Sequence, residues 1–240
     1  MFDNINIVLV NTSHPGNIGS TARAMGVMGF QNLSLVNPSD YPSEVATALA
    51  VGCTSILDEA KVFAKYTDAI EKNSVNIGFS ARKRKESIPV MMIDECTDYI
   101  LSNTDLSFNV IFGNEKSGLS NQELLLCNYI VSIPTGDIYS SLNLSSAVQI
   151  FTYELFKNWL MNSSREPNHK KIIDLASTGD KMHFYASLTE LLESTNFINK
   201  KNHKSITKKL HILFNKAELE NHELSILNGI LTSIRKKINT

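Results

Sequence analysis

Cysteine is scarce in this sequence of 240 residues, and its three copies, Cys53, Cys96 and Cys127, are widely separated. An odd number of isolated cysteines gives neither a disulfide framework nor a paired CxxC metal site. We therefore expect reduced thiols and a cytoplasmic location. No apolar run approaches the ~18 residues of a membrane span, and the N-terminus lacks the basic-then-apolar pattern of a secretory signal. We expect no membrane segment.

Several familiar catalytic motifs are missing as well. Without HExxH, GxSxG or clustered Cys and His, metalloprotease, α/β-hydrolase and zinc-deaminase chemistry lack support, and we expect no metal. No GxGxxG follows the first apolar run, and its absence weakens the interpretation of the chain as a nucleotide-binding oxidoreductase. Gly113 and Gly118 have the separation of a P-loop, but Leu119 and Ser120 stand where Lys and Ser/Thr are needed. A nucleoside triphosphate site is therefore excluded.

The net charge of −1 conceals an uneven distribution of charge. Residues 1–156 carry nine Lys/Arg and sixteen Asp/Glu, whereas residues 157–240 carry fourteen and eight. A basic C-terminal part indicates contact with a polyanion, and a solvated helical surface is the alternative interpretation.

The order of apolar patterns predicts an α/β fold with a mostly parallel sheet. Short β-branched runs alternate with helical patterns, as in sheets that are covered on both faces. Helix starts are predicted after Ser43, after Thr67 and at a capping box formed by Ser120 and Glu123. The predicted strands are Ile5–Val10, Leu33–Val36, Val75–Phe79, Phe108–Phe112 and Tyr129–Ile133.

The C-terminal part of the chain reads as helical. A long helix is predicted from Ser145 to about Met161, followed by a polar linker and helices at about 180–198, 206–217 and 223–238. We therefore predict an α/β domain over residues 1–161, a linker over 162–179 and a small helical domain over 180–240.

Three loops rich in Gly, Asn and Ser each follow a predicted strand, at residues 11–23, 112–120 and 139–147. Ligands of parallel α/β sheets bind at the carboxyl ends of the strands, so we expect these loops to meet at one site. The structural alternative for the first loop is that Asn17 only caps a helix and that Arg23 is an ordinary exposed arginine.

The three loops together resemble a known family. Asn17-x-Gly19-x-x-Ala22-Arg23, Gly113-Asn114-Glu115…Gly118-Leu119-Ser120 and Ser141-Leu142-Asn143-Leu144-Ser145 are similar to the three motifs of SpoU-type (TrmH-like) RNA 2′-O-methyltransferases of the SPOUT superfamily. Phe79-Ser80-Ala81-Arg82 and the C-terminal residues 227–231 resemble the TrmJ type, which methylates cytidine or uridine 32 of tRNA. Asn114 departs from the arginine expected there in the TrmJ type, which loosens the assignment of the modified position.

The resemblance implies a fold, an assembly and a chemistry. It implies a C-terminal trefoil knot, a homodimer with active sites near the dimer interface, and S-adenosylmethionine as the methyl donor. The implied catalytic residues are Arg23, Asn17, Glu115, Ser141 and Asn143. The implied cofactor-binding residues are Phe79, Ser80, Ala81, Gly113, Ile133, Ser140, Ser141 and Leu142. Because a guanidinium has a pKa above roughly 12, phosphate binding and charge stabilisation suit Arg23 better than a role as base.

The expected substrate is tRNA, methylated on a ribose 2′-hydroxyl. The predicted RNA-binding residues are Arg82, Lys83, Arg84 and Lys85, and Lys204, Lys208 and Lys209 in the helical part. Alternatives are an enzyme of this type acting on rRNA or another tRNA position, a catalytically silent RNA-binding protein, and a nucleotide-binding oxidoreductase.

Overall fold

A computed structural model describes residues 1–82, 88–138, 140–162 and 174–238. Its strands form one parallel sheet in the order β3-β2-β1-β6-β4-β7-β5, which confirms the predicted fold class. The strands are β1 (Ile5–Val10), β2 (Asn32–Val36), β3 (Lys61–Phe63), β4 (Val75–Phe79), β5 (Val90–Met92), β6 (Phe108–Phe112) and β7 (Tyr129–Ser132).

Helices connect these strands because parallel neighbours need a crossover connection. The first five are α1 (Pro15–Val27), α2 (Glu44–Ala50), α3 (Thr54–Asp58), α4 (Tyr66–Ile70) and α5 (Ile93–Ser102). The next two are α6 (Asn121–Leu124) and α7 (Leu144–Asn162), and the C-terminal helices are α8 (Thr178–Ser194), α9 (His203–Lys216) and α10 (Asn221–Ile238). None of the helices in the described ranges is long and apolar enough to cross a membrane.

Local sequence explains some of the helix starts. Ser120 and Glu123 form the predicted capping box at α6: the Ser120 hydroxyl accepts the Glu123 N–H, and the Glu123 carboxylate accepts the Ser120 N–H. Ser43 occupies the cap position before α2, as predicted, although its hydroxyl makes no capping hydrogen bond. Thr67, which was predicted to precede a helix, instead lies inside α4, because α4 begins at Tyr66 and Lys65 occupies its cap position.

Alternating side chains of the central strands build two hydrophobic layers. In β1, Ile7 and Leu9 face a core that includes Phe151 of α7, while Val8 faces a second core on the other side of the sheet. Helices α1, α5 and α7 cover the first face. Ile212 of α9 packs against the second. The burial of both faces accounts for strands that are apolar at almost every position.

A row of three asparagines, of which Asn76 and Asn109 are buried and Asn6 is half-buried, crosses the central strands of the sheet. Asn6, Asn109 and Asn76 are in register on β1, β6 and β4. The amide of Asn6 donates to Asn109 at 2.9 Å, and that of Asn109 donates to Asn76 at 2.8 Å. Each is the second residue of its strand, so the row lies near the amino-terminal edge of the sheet.

The C-terminal helices dock at this amino-terminal edge. Thr178, at the start of α8, accepts a hydrogen bond from Asn76 at 3.0 Å and donates to the Asn73 carbonyl at 2.7 Å. Asn215 of α9 donates to the carbonyl of Leu125, shortly before β7, at 3.0 Å. Within the predicted linker, residues 163–173 lie outside the described residues, and α8 begins at Thr178.

Two ionisable groups, the half-buried Glu218 and the buried Lys181, take part in this docking. Glu218, after α9, accepts hydrogen bonds from the hydroxyls of Tyr99 and Tyr129, both at 2.5 Å. Lys181 of α8 is buried and donates to the Ser74 carbonyl at 2.8 Å. Burial lowers the pKa of Lys181 to about 8, although the Glu218 carboxylate opposes the shift.

Candidate active site

The loops that leave β4, β6 and β7 enclose a cavity at the carboxyl edge of the sheet. It measures about 770 Å³ when the open space at its mouth is included. Its lining comprises Phe79, Ser80, Ala81, Arg82, Phe112, Gly113, Asn114, Glu115, Lys116, Ser117, Gly118, Val131, Ile133, Ser140, Ser141, Leu142, Leu144 and Ala147.

All eight residues expected to bind the cofactor line this single cavity. They come from three segments that are far apart in the sequence, around residues 79–81, 113 and 133–142. The rings of Phe79 and Phe112 stack at the ends of β4 and β6, with centroids 4.5 Å apart, and give the cavity an apolar side. The cavity therefore combines an apolar surface with main chain that small residues leave accessible.

Gly113 shows why a small residue is needed in this loop. A Cβ atom at this position would lie 2.2 Å from both the carbonyl carbon of Gly118 and the nitrogen of Leu119. The return of the loop is fixed by the Gly118 N–H, which donates to the Asn114 carbonyl at 2.7 Å. Only glycine lets the two sides of the loop approach so closely.

Glu115 joins this loop to the beginning of α1. Its carboxylate accepts hydrogen bonds from the N–H and hydroxyl of Ser13, from the His14 N–H and from the Asn17 amide, at 2.8–3.2 Å. Partial burial raises the pKa of Glu115, but these donors outweigh it and lower the pKa to about 2. Glu115 is therefore an ionised anchor at neutral pH and is unsuited to accept a proton there.

Asn17 carries the contact onward to the third loop. Its side-chain oxygen accepts the amide of Asn143 at 3.0 Å, while the Asn143 oxygen accepts the N–H and hydroxyl of Ser145 at 2.9 and 2.7 Å. Asn143 thereby caps α7. The alternative that Asn17 caps α1 is wrong, since Asn17 is the third residue of α1 and His14 occupies the cap position.

Arg23 is not brought to the cavity of its own chain. It lies on α1 six residues after Asn17, which corresponds to roughly 9 Å along the helix axis and about a third of a turn away in direction. Its side chain is exposed, and it is not among the residues that line the cavity. Ser141, by contrast, lines the cavity directly.

The predicted RNA-binding residues fall into two groups. Arg82 lines the cavity and donates to the Lys116 carbonyl at 3.3 Å, whereas Lys83, Arg84 and Lys85 lie outside the described residues. The second group lies on α9, where Lys204 and Lys209 are exposed and Lys208 is half-buried. Among the residues that the structure describes, no group of three His, Cys, Asp or Glu side chains is arranged to hold a metal.

Some contacts of the site were not foreseen from the sequence. The Asn114 amide donates to the Asn11 carbonyl at 2.6 Å and so ties the first loop to the second. Asn11 has a φ of 54°, a left-handed conformation that asparagine tolerates better than most residues. Both asparagines stand within the predicted loops, but only the fold shows that the loops meet through them.

Comparison with known proteins identifies the family. The model described as the SpoU rRNA Methylase family matches residues 4–153. The chain belongs to the SpoU methylase family. This confirms the resemblance drawn from the three motifs. The model for the C-terminal domain of the tRNA methyltransferase TrmJ matches residues 180–240.

Two individual relatives extend over nearly the whole chain, and a third covers part of it. The tRNA (cytidine/uridine-2′-O-)-methyltransferase TrmJ of Sodalis glossinidius is 41% identical over 98% of this chain and 92% of its own length. The crystal structure of TrmJ from Z. mobilis is 26% identical, with a TM-score of 0.85 over 96% of this chain and 98% of that one. AviRb from Streptomyces viridochromogenes, solved in complex with AdoMet, shares the fold at 23% identity, with a TM-score of 0.53 over 65% of this chain and 60% of that one.

Proposed function

We propose that this chain is a tRNA ribose 2′-O-methyltransferase that uses S-adenosylmethionine and forms 2′-O-methylcytidine or 2′-O-methyluridine at position 32. The observation that carries the proposal is the convergence of all eight expected cofactor residues on one cavity beside the Asn17–Glu115–Asn143 network. Membership of the SpoU family and the names of the TrmJ relatives support the same activity.

The cavity suits S-adenosylmethionine chemically. The stacked rings of Phe79 and Phe112 offer an apolar wall, and the main chain at Ser80 and Gly113 offers hydrogen-bonding groups. When bound, the cofactor supplies a methyl group activated by its bond to a positively charged sulfur. The ionised Glu115 at the cavity wall is electrostatically compatible with a cation.

The residues of the chain have separate tasks in this proposal. Glu115, Asn17 and Asn143 hold the three loops in one arrangement, so they act as positioning residues for the ribose and the donor. Arg23 contacts the substrate, where its guanidinium binds a phosphate and stabilises negative charge on the ribose oxygen as the hydroxyl loses its proton. Ser141 contacts the cofactor and the nucleotide at the cavity mouth.

A homodimer accounts for the position of Arg23. Because Arg23 is exposed and points away from the network of its own chain, a second copy that brings its Arg23 to the cavity would complete the site. Mixing an Arg23→Ala chain with a Gly113→Ala chain tests this. At a donor concentration too low for the Gly113→Ala chain to bind it, shared sites restore activity in the mixed dimer, whereas sites formed within one chain leave the mixture inactive.

The remaining features of the proposal concern architecture and location. We propose that the segment from β6 through α7 forms the trefoil knot, that the α/β domain ends near residue 161, and that residues 180–240 form an RNA-binding helical domain. Arg82, Lys204, Lys208 and Lys209 contact RNA phosphates, together with Lys83, Arg84 and Lys85. The free cysteines and the tRNA substrate favour the cytoplasm.

The architecture favours a large substrate over a free nucleotide. Asn215 of α9 docks at the amino-terminal edge of the sheet, while the cavity opens at the carboxyl edge. These edges are separated by a strand length of roughly 17–20 Å. An RNA that contacts the helical region and the cavity must span at least that distance.

Transfer of tritiated methyl groups to unmodified tRNA transcripts tests the activity. A 2′-O-methyl group removes the hydroxyl that attacks the neighbouring phosphate, so the labelled nucleotide is expected in an alkali-resistant dinucleotide from the anticodon loop. Label in a base, or in rRNA alone, would contradict the proposal, and rRNA is the alternative that the family description raises.

A further inference from the structure

Helix α10 carries a second apolar face besides the one that it buries. Leu224 and Leu231 pack into the core of the C-terminal helices. On another side, Ile226, Ile230 and Ile234 are 61%, 50% and 41% exposed. These isoleucines repeat every four residues and form a continuous exposed apolar row along the helix.

Charged residues bracket this row symmetrically. Glu223 lies seven residues before Ile230 and Lys237 lies seven after it, while Ile226 and Ile234 lie four residues on either side. At 3.6 residues per turn, all five side chains fall within about 80° of the helix circumference. We define the α10 seam as Glu223, Ile226, Ile230, Ile234 and Lys237. The spacing of its side chains is the same from either end of the helix, and its two ends have opposite charge.

A surface of this kind is complementary to itself. If two copies of α10 cross antiparallel with Ile230 at a twofold axis, Ile226 of each copy meets Ile234 of the other. The same operation places Glu223 of each copy beside Lys237 of the other. Antiparallel helix dipoles add to this attraction. A parallel arrangement would instead bring like charges together.

The surroundings of the seam fit the same arrangement. An open groove beside the first turns of α10 is bordered by Leu213 and Phe214 of α9 and by Ile226, and Leu213 is 60% exposed. The twofold operation directs the last turn of the partner helix, with the 45% exposed Ile238, towards this groove. Apolar side chains thus meet an apolar groove at both ends of the contact.

We propose that the α10 seam is an interface between two copies of this chain, formed by antiparallel pairing of α10 about Ile230. The proposal rests on the spacing, exposure and charge of the seam and does not depend on methyl transfer. It also differs from the sharing of Arg23, since Arg23 belongs to α1.

Cross-linking of the full-length chain through a cysteine at the axis tests the pairing. Cys96 and Cys127 are buried, so only the half-buried Cys53 is first replaced by alanine. A bismaleimide that spans roughly 8–10 Å, the spacing of packed helices, is then applied to the Ile230→Cys chain. A covalent dimer is expected as the main product.

Thr232→Cys is the matched control, because Thr232 is exposed and lies on the far side of α10. We expect it to give roughly tenfold less covalent dimer than Ile230→Cys. Equal yields at the two positions, or no dimer from Ile230→Cys, would overturn the proposal. The absence of dimer from Ile230→Cys is also the result expected if the two copies pair only through another surface, or if the seam is covered by its own chain.

A charge exchange tests the orientation. In the Ile230→Cys chain, Lys237→Glu places two carboxylates together at each end of the contact, and a several-fold loss of covalent dimer is expected. Adding Glu223→Lys should restore the yield, even though the Glu223 carboxylate also accepts the Glu220 N–H at 3.0 Å within its own helix. An unchanged yield with Lys237→Glu, or no recovery in the exchanged pair, would contradict antiparallel pairing.

Discussion

Replacing Gly113 with alanine is expected to weaken cofactor binding, because the added methyl group has no room in the loop that lines the cavity. The new Cβ would lie 2.2 Å from backbone atoms of Gly118 and Leu119, whereas ordinary contacts of a Cβ begin near 3.4 Å. One side of the loop must therefore move by about 1.2 Å. The obstacle is backbone, so no side-chain rotation relieves it.

The size of the effect follows from the cost of overpacking. Inserting a methyl group into a filled space costs about 1–3 kcal/mol, which the loop can avoid only by opening. An open loop displaces Asn114, Glu115 and Gly118, all of which line the cavity. If the cofactor must restore the closed loop on binding, its affinity falls by roughly 5- to 150-fold.

Isothermal titration of S-adenosylmethionine into the Gly113→Ala chain measures this loss. Gly136→Ala is the matched control, since a Cβ at Gly136 meets no atom within 4 Å. We expect the control to bind like the original chain. A dissociation constant for Gly113→Ala within twofold of the original value would refute the argument that this loop encloses the cofactor.

Three further predictions follow from the site and its surroundings. Arg23→Ala should abolish methyl transfer, measured with tritiated donor, while the affinity for S-adenosylmethionine stays within about twofold; normal turnover would refute the role of Arg23. Lys181→Met removes an ammonium group whose pKa in the folded protein, about 8, is below the ordinary 10.5. The folded chain releases this proton at a lower pH than the unfolded chain does. As pH rises from 8 to 10.5, the unfolding free energy of the original chain should therefore increase relative to that of the variant by up to ~3 kcal/mol, measured by urea unfolding. Parallel curves of unfolding free energy against pH would contradict this. Replacing Lys204, Lys208 and Lys209 with alanine should reduce the slope of log affinity for tRNA against log salt by up to about three, and an unchanged slope would exclude these lysines from the RNA contact.

The central strands were predictable because their apolar runs are continuous. β1, β4 and β6 have the predicted bounds. The edge strands β3 and β5 were missed, since each has only three residues and side chains such as Val62 and Val90 are exposed. Such short edge strands form because a neighbouring strand is present to pair with them. The local sequence does not reveal that neighbour.

The asparagine row illustrates a signal that was present in the sequence but not used. Asn6, Asn76 and Asn109 each stand second in a strand, between two apolar residues. A polar residue at the same position of three buried strands indicates mutual hydrogen bonds once the strands are known to be neighbours. Strand order, however, depends on the crossovers and not on the strands themselves.

The convergence of the site was predictable from motif order, whereas its internal contacts were not. Glu115 and Asn17 are 98 residues apart, and no spacing indicates that their side chains meet at 2.8 Å. The docking of the C-terminal helices through Glu218, Tyr99 and Tyr129 was equally hidden. Such contacts arise from tertiary packing, so they appear only when the sheet and helices are assembled.

Hydrogen exchange of the full chain with and without S-adenosylhomocysteine tests the central claim most directly. If the loops that follow β4, β6 and β7 enclose the cofactor, the backbone amides of residues 79–82, 112–118 and 140–147 should gain protection together. The amides of α8 to α10 should remain unchanged. Protection confined to one of these loops, or found elsewhere in the chain, would contradict the account.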